Sequence, residues 1–211
     1  MLLSGGIDSA TCLYSLKDEY DIMALTFEYN DIASKEIDSA KAIATKAGVV
    51  EHRIFRLPDL REAGDIPGDK FEGLPPTYIP LRNSIFYSVA GSYAEEKRVP
   101  IIVGGHNKDD AKVFRDVSGS FFEALERTLW SGSTILNRQR TRIRRPLSSK
   151  SKVQVVKLGA ALGVPFELTW SCHRTGMKHC WKCAGCLSRI ESFKGAGLHD
   201  PVARFSQTKV T

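Results

Sequence analysis

The sequence predicts an α/β fold: a doubly wound parallel sheet with a small, helical, zinc-binding region at its C-terminal end. Three observations carry this. Short apolar runs bounded by polar residues alternate with helical patterns through most of the chain. A glycine-rich turn follows the first apolar run and precedes a helical pattern. Four of the five cysteines crowd into positions 172–186.

The opening LLSGGIDSA reads as a strand end, a tight turn through Gly5 and Gly6, and a helix starting near Asp8 or Ser9. SATCLYSLKDEY continues that helix. Such a turn aims backbone N–H groups and a helix start at one point, which makes an anion site. Glycine lets a ligand approach the backbone, and Ser4 and Ser9 add hydroxyl donors. A Walker A loop would carry a lysine after its second glycine; none follows here, so this is a different phosphate loop.

DIMALTF (21–27) is the next strand. Ligands of open α/β sheets sit beyond the carboxyl ends of the strands, so Thr26 and Phe27 belong beside the bound group. ASKEIDSAKAIATKAG (33–48) puts Ile37, Ala40, Ala44 and Ala47 at helical spacing, and Gly48 stops it. VVEHRIF (49–55) is a strand. Residues 64–81 hold four prolines and three glycines and read as a loop of functional length. SIFYSVAGSYAEEKR (84–98) is a helix that Asn83 is placed to cap. VPIIVGG (99–105) is a strand whose end, Gly104 and Gly105, borders the same site. SGSFFEALERTLW (118–130) is a helix. RQRTRIRRP (138–146) spaces Arg138, Arg140, Arg142 and Arg144 by two, which on a strand gives them one face. A charged edge strand, an anionic mouth and an RNA contact all fit that stripe. No RNA-binding module signature accompanies it.

A chain of 211 residues fits one domain with a small appendage, divided here as 1–165 and 166–211. The net charge of +6 favours anionic partners, nucleotides among them. No apolar stretch reaches the ~18 residues of a membrane span, and the apolar start is too short for a signal peptide, so a cytoplasmic protein is expected. In that compartment clustered cysteines favour metal over disulfides. Cys172, Cys180, Cys183 and Cys186 follow C-x7-C-x2-C-x2-C, and four thiolates close a tetrahedral structural Zn²⁺ shell. An Fe–S cluster, a redox dithiol and unligated thiols are the alternatives. His173 and His179 flank the cluster as bystanders, and Cys12 reads as a small core residue.

S-G-G-x-D-S resembles the pyrophosphate loop of the N-type ATP pyrophosphatases, which adenylate a substrate and release pyrophosphate. The tail adds P-L, a lysine, L-G-V-P, T-W-S-C, the cysteine cluster and A-G-x-x-D-P in order, and the middle adds Y-x-P-x-R-N. Together these resemble the 7-cyano-7-deazaguanine synthase (QueC) family over nearly the whole chain. The resemblance implies a Rossmann-like, adenine nucleotide alpha hydrolase-like fold in residues 1–165. It implies that Leu3, Ser4, Gly5, Gly6, Asp8 and Ser9 bind ATP with Thr26, Phe27, Asn83, Gly104, Gly105 and Lys152. It implies catalytic roles for Asp8, Arg82, Asp110, Asp116 and Lys152. An exposed helix lysine and solvated loop carboxylates are the alternatives for Lys152, Asp110 and Asp116. Tyr78 and Trp170 are candidates for stacking on a base or for packing. The implied substrates are 7-carboxy-7-deazaguanine, ammonia and ATP with Mg²⁺, in a homodimer without membrane or direct nucleic-acid contact.

The sequence departs from the family pattern in two places. GHNKDDAKVFRDVS keeps Asn107, Asp110 and Asp116 but replaces S-G-Y-P with residues 112–115 and C-R with Val117 and Ser118. NDIA (30–33) stands where the family has G-Q-R-H. An amide-forming ligase acting on a related acid or another amine therefore stays open. So does an adenylating tRNA-modifying enzyme, though it would need an RNA-binding extension. A nucleotide-binding protein without turnover is the third alternative.

Overall fold

The computed structural model describes residues 1–29, 34–58, 60–66, 71–76, 78–174 and 176–203. Strand β1 (Met23–Glu28) pairs in parallel with β2 (Glu51–Arg56), and β3 (Ile101–Val103) pairs in parallel with β4 (Arg142–Arg144). Residues 1–3 join the two pairs. The Leu3 N–H donates to the Leu25 carbonyl and the Leu25 N–H to that of Met1, both at 2.8 Å. On the other side the Leu2 N–H reaches the Val103 carbonyl at 2.9 Å. The order across the molecule is β2, β1, residues 1–3, β3, β4. The winding reverses between residues 1–3 and β3, so the crevice of a doubly wound sheet opens beyond Leu3 and Val103.

Helices α1 (Ile7–Tyr14), α2 (Ser34–Ala47), α3 (Arg82–Lys97), α4 (Asp110–Val113), α5 (Gly119–Gly132), α6 (Thr134–Gln139), α7 (Lys152–Ala161) and α8 (Ala184–Ala196) cover both faces. Strand residues alternate between two cores. Leu3, Ala24 and Val103 pack with Ala10 and Leu13 of α1, Ile43 of α2, Val155 of α7 and Phe193 of α8. Leu25, Phe27, Ile102 and Ile143 pack with Tyr87 of α3, Phe122 of α5 and Leu136 of α6. Two buried faces explain why β1 and β3 read as continuous apolar runs. Cys12 lies in the first core, fully buried, as the sequence implies.

Local chemistry fixes the helix ends. The Ser118 hydroxyl accepts the Phe121 N–H and starts α5. Ser151 and Gln154 form a capping box at α7. Gly48, at φ +72°, ends α2. Asn83 does not cap α3. Leu81 takes the cap position in the left-handed conformation, and the Asn83 N–H is met by Asp116 Oδ2 at 3.3 Å. The arginine stripe is also not one strand face. Arg138 lies in the last turn of α6, Arg140 turns the chain at φ +52°, and only Arg142 and Arg144 lie on β4. Burial of Leu136 and the Ser133 cap select a helical turn there. Among the described residues no helix is long and apolar enough to cross a membrane.

Candidate active site and metal centre

The loop 4–9 is knotted by its own hydroxyls. Ser4 Oγ and Ser9 Oγ lie 3.1 Å apart, the Gly6 N–H donates to Ser4 Oγ at 3.3 Å, and Ser9 Oγ donates to the Gly6 carbonyl at 3.1 Å. Gly5 has φ +82°, and a Cβ there would meet the backbone of Glu36 and Ala40 in α2. Both facts require glycine. Gly105 is forced by a second close approach, since a Cβ would sit 2.9 Å from Ser9 Cα. No side chain caps α1, so the first N–H groups of this helix have no capping partner.

Beside this loop lies a cavity of about 250 Å³ lined by Leu3, Ser4, Asp8, Ser9, Thr26, Phe27, Arg82, Asn83, Gly104, Gly105 and Asp110. Nine of these eleven are the residues expected at the nucleotide; Arg82 and Asp110 are the two expected as catalytic. The fold thus gathers three strand ends, the loop and the start of α3. Lys152, on α7, does not line this cavity but an adjoining one, with Nζ 3.7 Å from Asp8 Oδ2. Burial pushes the Asp8 carboxyl up to about 6 against the opposing pull of Lys152. Burial works against the Lys152 ammonium, yet Asp8 and Asp110 outweigh it and raise its pKa. Asp8 Oδ1 is buried and has no hydrogen-bond partner among the described residues. An orphaned carboxylate oxygen beside a second carboxylate suits a hard divalent cation.

A second cavity of about 400 Å³ adjoins the first. Tyr29, Glu36 and Arg82 line both, so they mark the passage between them. Its remaining wall comes from the loop before α3 (Glu62, Pro75, Tyr78, Ile79), from Val113, Phe114 and Asp116, and from Lys152, His173 and α8. Asp110 and Asp116 are therefore divided between the two cavities. Trp170 lines neither. Its N–H donates to the Gly5 carbonyl at 2.9 Å and its indole to the Cys172 carbonyl at 2.8 Å, so it braces the loop from behind.

The sulfurs of Cys172, Cys180, Cys183 and Cys186 lie within 4.8 Å of one another. The Cys180–Cys186 and Cys172–Cys183 separations are 4.0 and 3.9 Å. Tetrahedral Zn–S bonds of about 2.3 Å require sulfurs ~3.8 Å apart, so four thiolates here fit Zn²⁺. Backbone N–H groups of Cys180, Lys182 and Cys183 point at sulfur, as thiolate charge demands. His179 accepts the Ser171 N–H and packs on Trp170, and His173 turns into the second cavity. Neither belongs to the cluster.

Comparison with known proteins agrees with this geometry. A family model described as "Queuosine biosynthesis protein QueC" matches residues 1–197. Proteins named 7-cyano-7-deazaguanine synthase from Thermoplasma acidophilum, Oceanobacillus iheyensis and Trichodesmium erythraeum are 36%, 37% and 37% identical to the chain. The matches cover 96% of this chain in each case, and 90%, 96% and 98% of those proteins. The chain belongs to the QueC family.

Its departures from the QueC pattern fall unevenly. Segment 111–118 supplies Val113, Phe114 and Asp116 to the second cavity and nothing to the first. NDIA (30–33) lies outside the described residues. Several lining residues carried no local signal. Glu36, Tyr29, Phe86 and His106 come from helix faces and strand ends, and Asp109 Oδ2 accepts the Lys152 N–H at 2.9 Å.

Glu36 yields a pH prediction. Burial, aided by Glu62 and opposed by Arg82, pushes its carboxyl up to about 7 from an ordinary 4.5. The folded chain favours the neutral form, so the group costs nothing below the unfolded value. The cost grows as pH rises toward the folded value. Glu36→Gln is therefore expected to gain stability over the parent as pH is raised from about 5 to about 8. Urea midpoints of both proteins measure this; midpoints that stay parallel would contradict it.

Proposed function

We propose that this chain converts 7-carboxy-7-deazaguanine and ammonia to 7-cyano-7-deazaguanine at the expense of ATP. The observation that carries the reading is the Asp8–Lys152 pair at the mouth of loop 4–9, opening onto a second cavity large enough for a bicyclic acid. The relatives' shared name supplies the product. A carboxylate is a poor electrophile. Transfer of AMP to its oxygen, with release of pyrophosphate, makes that oxygen a leaving group. Ammonia adds, AMP departs, and the amide forms with loss of a proton. A second AMP transfer to the amide oxygen lets AMP leave again and yields the nitrile. Each carboxylate oxygen departs on one AMP.

Loop 4–9 and the start of α1 hold the phosphates through backbone N–H groups and the Ser4 and Ser9 hydroxyls. Lys152 offsets the charge gathering on departing pyrophosphate. Asp8 and Asp110 are the residues that would hold Mg²⁺, which neutralises phosphate charge when bound. Thr26 and Phe27 border adenine, with Asn83 nearby. Arg82, at the passage, orients the substrate carboxylate toward the α-phosphate. Asp116 fixes the start of α3 through Asn83 and faces the substrate. The four cysteines hold structural Zn²⁺. Residues 1–165 form the ATP-binding unit and 166–211 a zinc-binding region against it, in a cytoplasmic homodimer that does not bind nucleic acid.

The test is a product assay with the full chain, the acid, ATP, Mg²⁺ and ammonium, read by mass spectrometry. Nitrile with two AMP per product is expected. Amide with one AMP would replace the synthase reading by that of an amide-forming ligase. No acid-dependent AMP would reject both.

A further inference from the structure

We infer that Tyr78 and Phe114 form the seat on which the flat heterocycle of the substrate stacks, so that these two side chains set selectivity for the acid. This rests on the proposed reaction and deepens it. A bicyclic heteroaromatic acid offers two flat apolar faces, an edge rich in N–H donors, and a carboxylate. The second cavity presents a counterpart to each.

The flat counterpart is the aromatic pair. The Tyr78 and Phe114 rings are parallel to within 6°, with centroids 6.2 Å apart. They come from segments distant in sequence, so tertiary structure, not local spacing, aligns them. Two features hold the pair. The Tyr78 carbonyl accepts the Ala63 N–H at 2.7 Å, which folds the loop before α3 back on itself. Phe71 packs beside the Tyr78 ring, centroids 5.9 Å apart. Phe114 ends α4 in an extended conformation (φ −113°, ψ 121°), which carries its ring off the helix and into the cavity wall.

Polar counterparts line the same cavity. Glu62 and Asp116 supply carboxylate acceptors suited to an N–H-rich edge. Arg82 and Lys152 supply cations, and Arg82 also lines the nucleotide cavity. An acid stacked on the pair can set its own carboxylate against Arg82, which lines both cavities. Adenine has a separate aromatic wall: Phe27 is stacked on Phe86 at 4.1 Å, inside the first cavity.

The test compares Phe114→Leu, Tyr78→Leu and Phe114→Tyr with the parent chain in acid-dependent AMP release. The acid and ATP are each titrated, and folding is followed by circular dichroism. Loss of one stacking face is expected to raise KM for 7-carboxy-7-deazaguanine roughly tenfold in each leucine variant. KM for ATP stays within about twofold, and Phe114→Tyr stays close to the parent. An unchanged KM for the acid in both leucine variants overturns the seat while leaving the reaction standing. An equal rise in both KM values also overturns it, because the change is then general to the site. A parent chain that releases no AMP in response to the acid overturns the reaction, and the seat with it.

Discussion

Lys152→Met is expected to slow acid-dependent pyrophosphate release about 10²–10³-fold while leaving the chain folded. The fold survives because the backbone at this position is held independently of the ammonium. Lys152 is the first residue of α7, Ser151 and Gln154 cap that helix, and the Lys152 N–H is bound by Asp109 Oδ2. Methionine keeps most of the stem and removes only the charge. What is lost is the cation 3.7 Å from Asp8, beside the loop proposed to hold the phosphates. A preorganised charge of this kind acts where negative charge accumulates, so the loss falls on turnover more than on KM for ATP. A second readout separates this from simple loss of an ion pair. Lys152 lowers the Asp8 pKa against burial, so its removal moves the Asp8 carboxyl further above about 6. The acid limb of the pH–rate profile should shift to higher pH in the variant. A Lys152→Met enzyme within threefold of the parent, with an unmoved acid limb, would leave Lys152 as no more than a helix-end lysine.

The alternation of apolar runs and helical patterns made the two-faced sheet legible, because each interior strand residue must meet one of two cores. Residues 1–3 are the weak point of such reading. Three residues are too few for any periodicity, and only their hydrogen bonds to Leu25 and Val103 place them at the centre. The arginine stripe failed for a different reason. Spacing by two does not distinguish a strand from a helix end followed by a left-handed turn at Arg140; burial of Leu136 and Ile143 decides it. In the site, loop 4–9 was legible because its chemistry is local: glycines where the backbone is crowded, hydroxyls where it turns. Glu36 and Asp109 were not, because an exposed-looking acid on a helix or loop gains meaning only from what lies across from it. Trp170 was read as a stacking or packing residue, and the fold assigns it to packing because its indole is turned toward Cys172.

Asp200→Ala is expected to cost about 3–5 kcal/mol of stability, since it strands a buried guanidinium. For a chain of this length that corresponds to a fall in Tm of roughly 6–20 °C. Arg189 is 1% exposed and lies on α8. Asp200 takes two of its hydrogens, Nε to Oδ2 at 2.7 Å and Nη2 to Oδ1 at 2.8 Å. The rest of the guanidinium holds the segment before the cysteine cluster: Nη1 donates to Thr169 Oγ1 at 2.8 Å and Nη2 to the Phe166 carbonyl at 3.0 Å. The next residue, Trp170, donates its N–H to the Gly5 carbonyl in loop 4–9. The buried pair is thus two links from loop 4–9, and on the proposed role of that loop its loss should raise KM for ATP as well as lower Tm. The double variant Arg189→Met with Asp200→Leu separates the two effects. It removes the stranded charge, so much of the Tm should return. The guanidinium bonds to Thr169 and Phe166 do not return, so KM for ATP should stay raised. Recovery of both together would show that the pair stabilises the C-terminal region without positioning the loop.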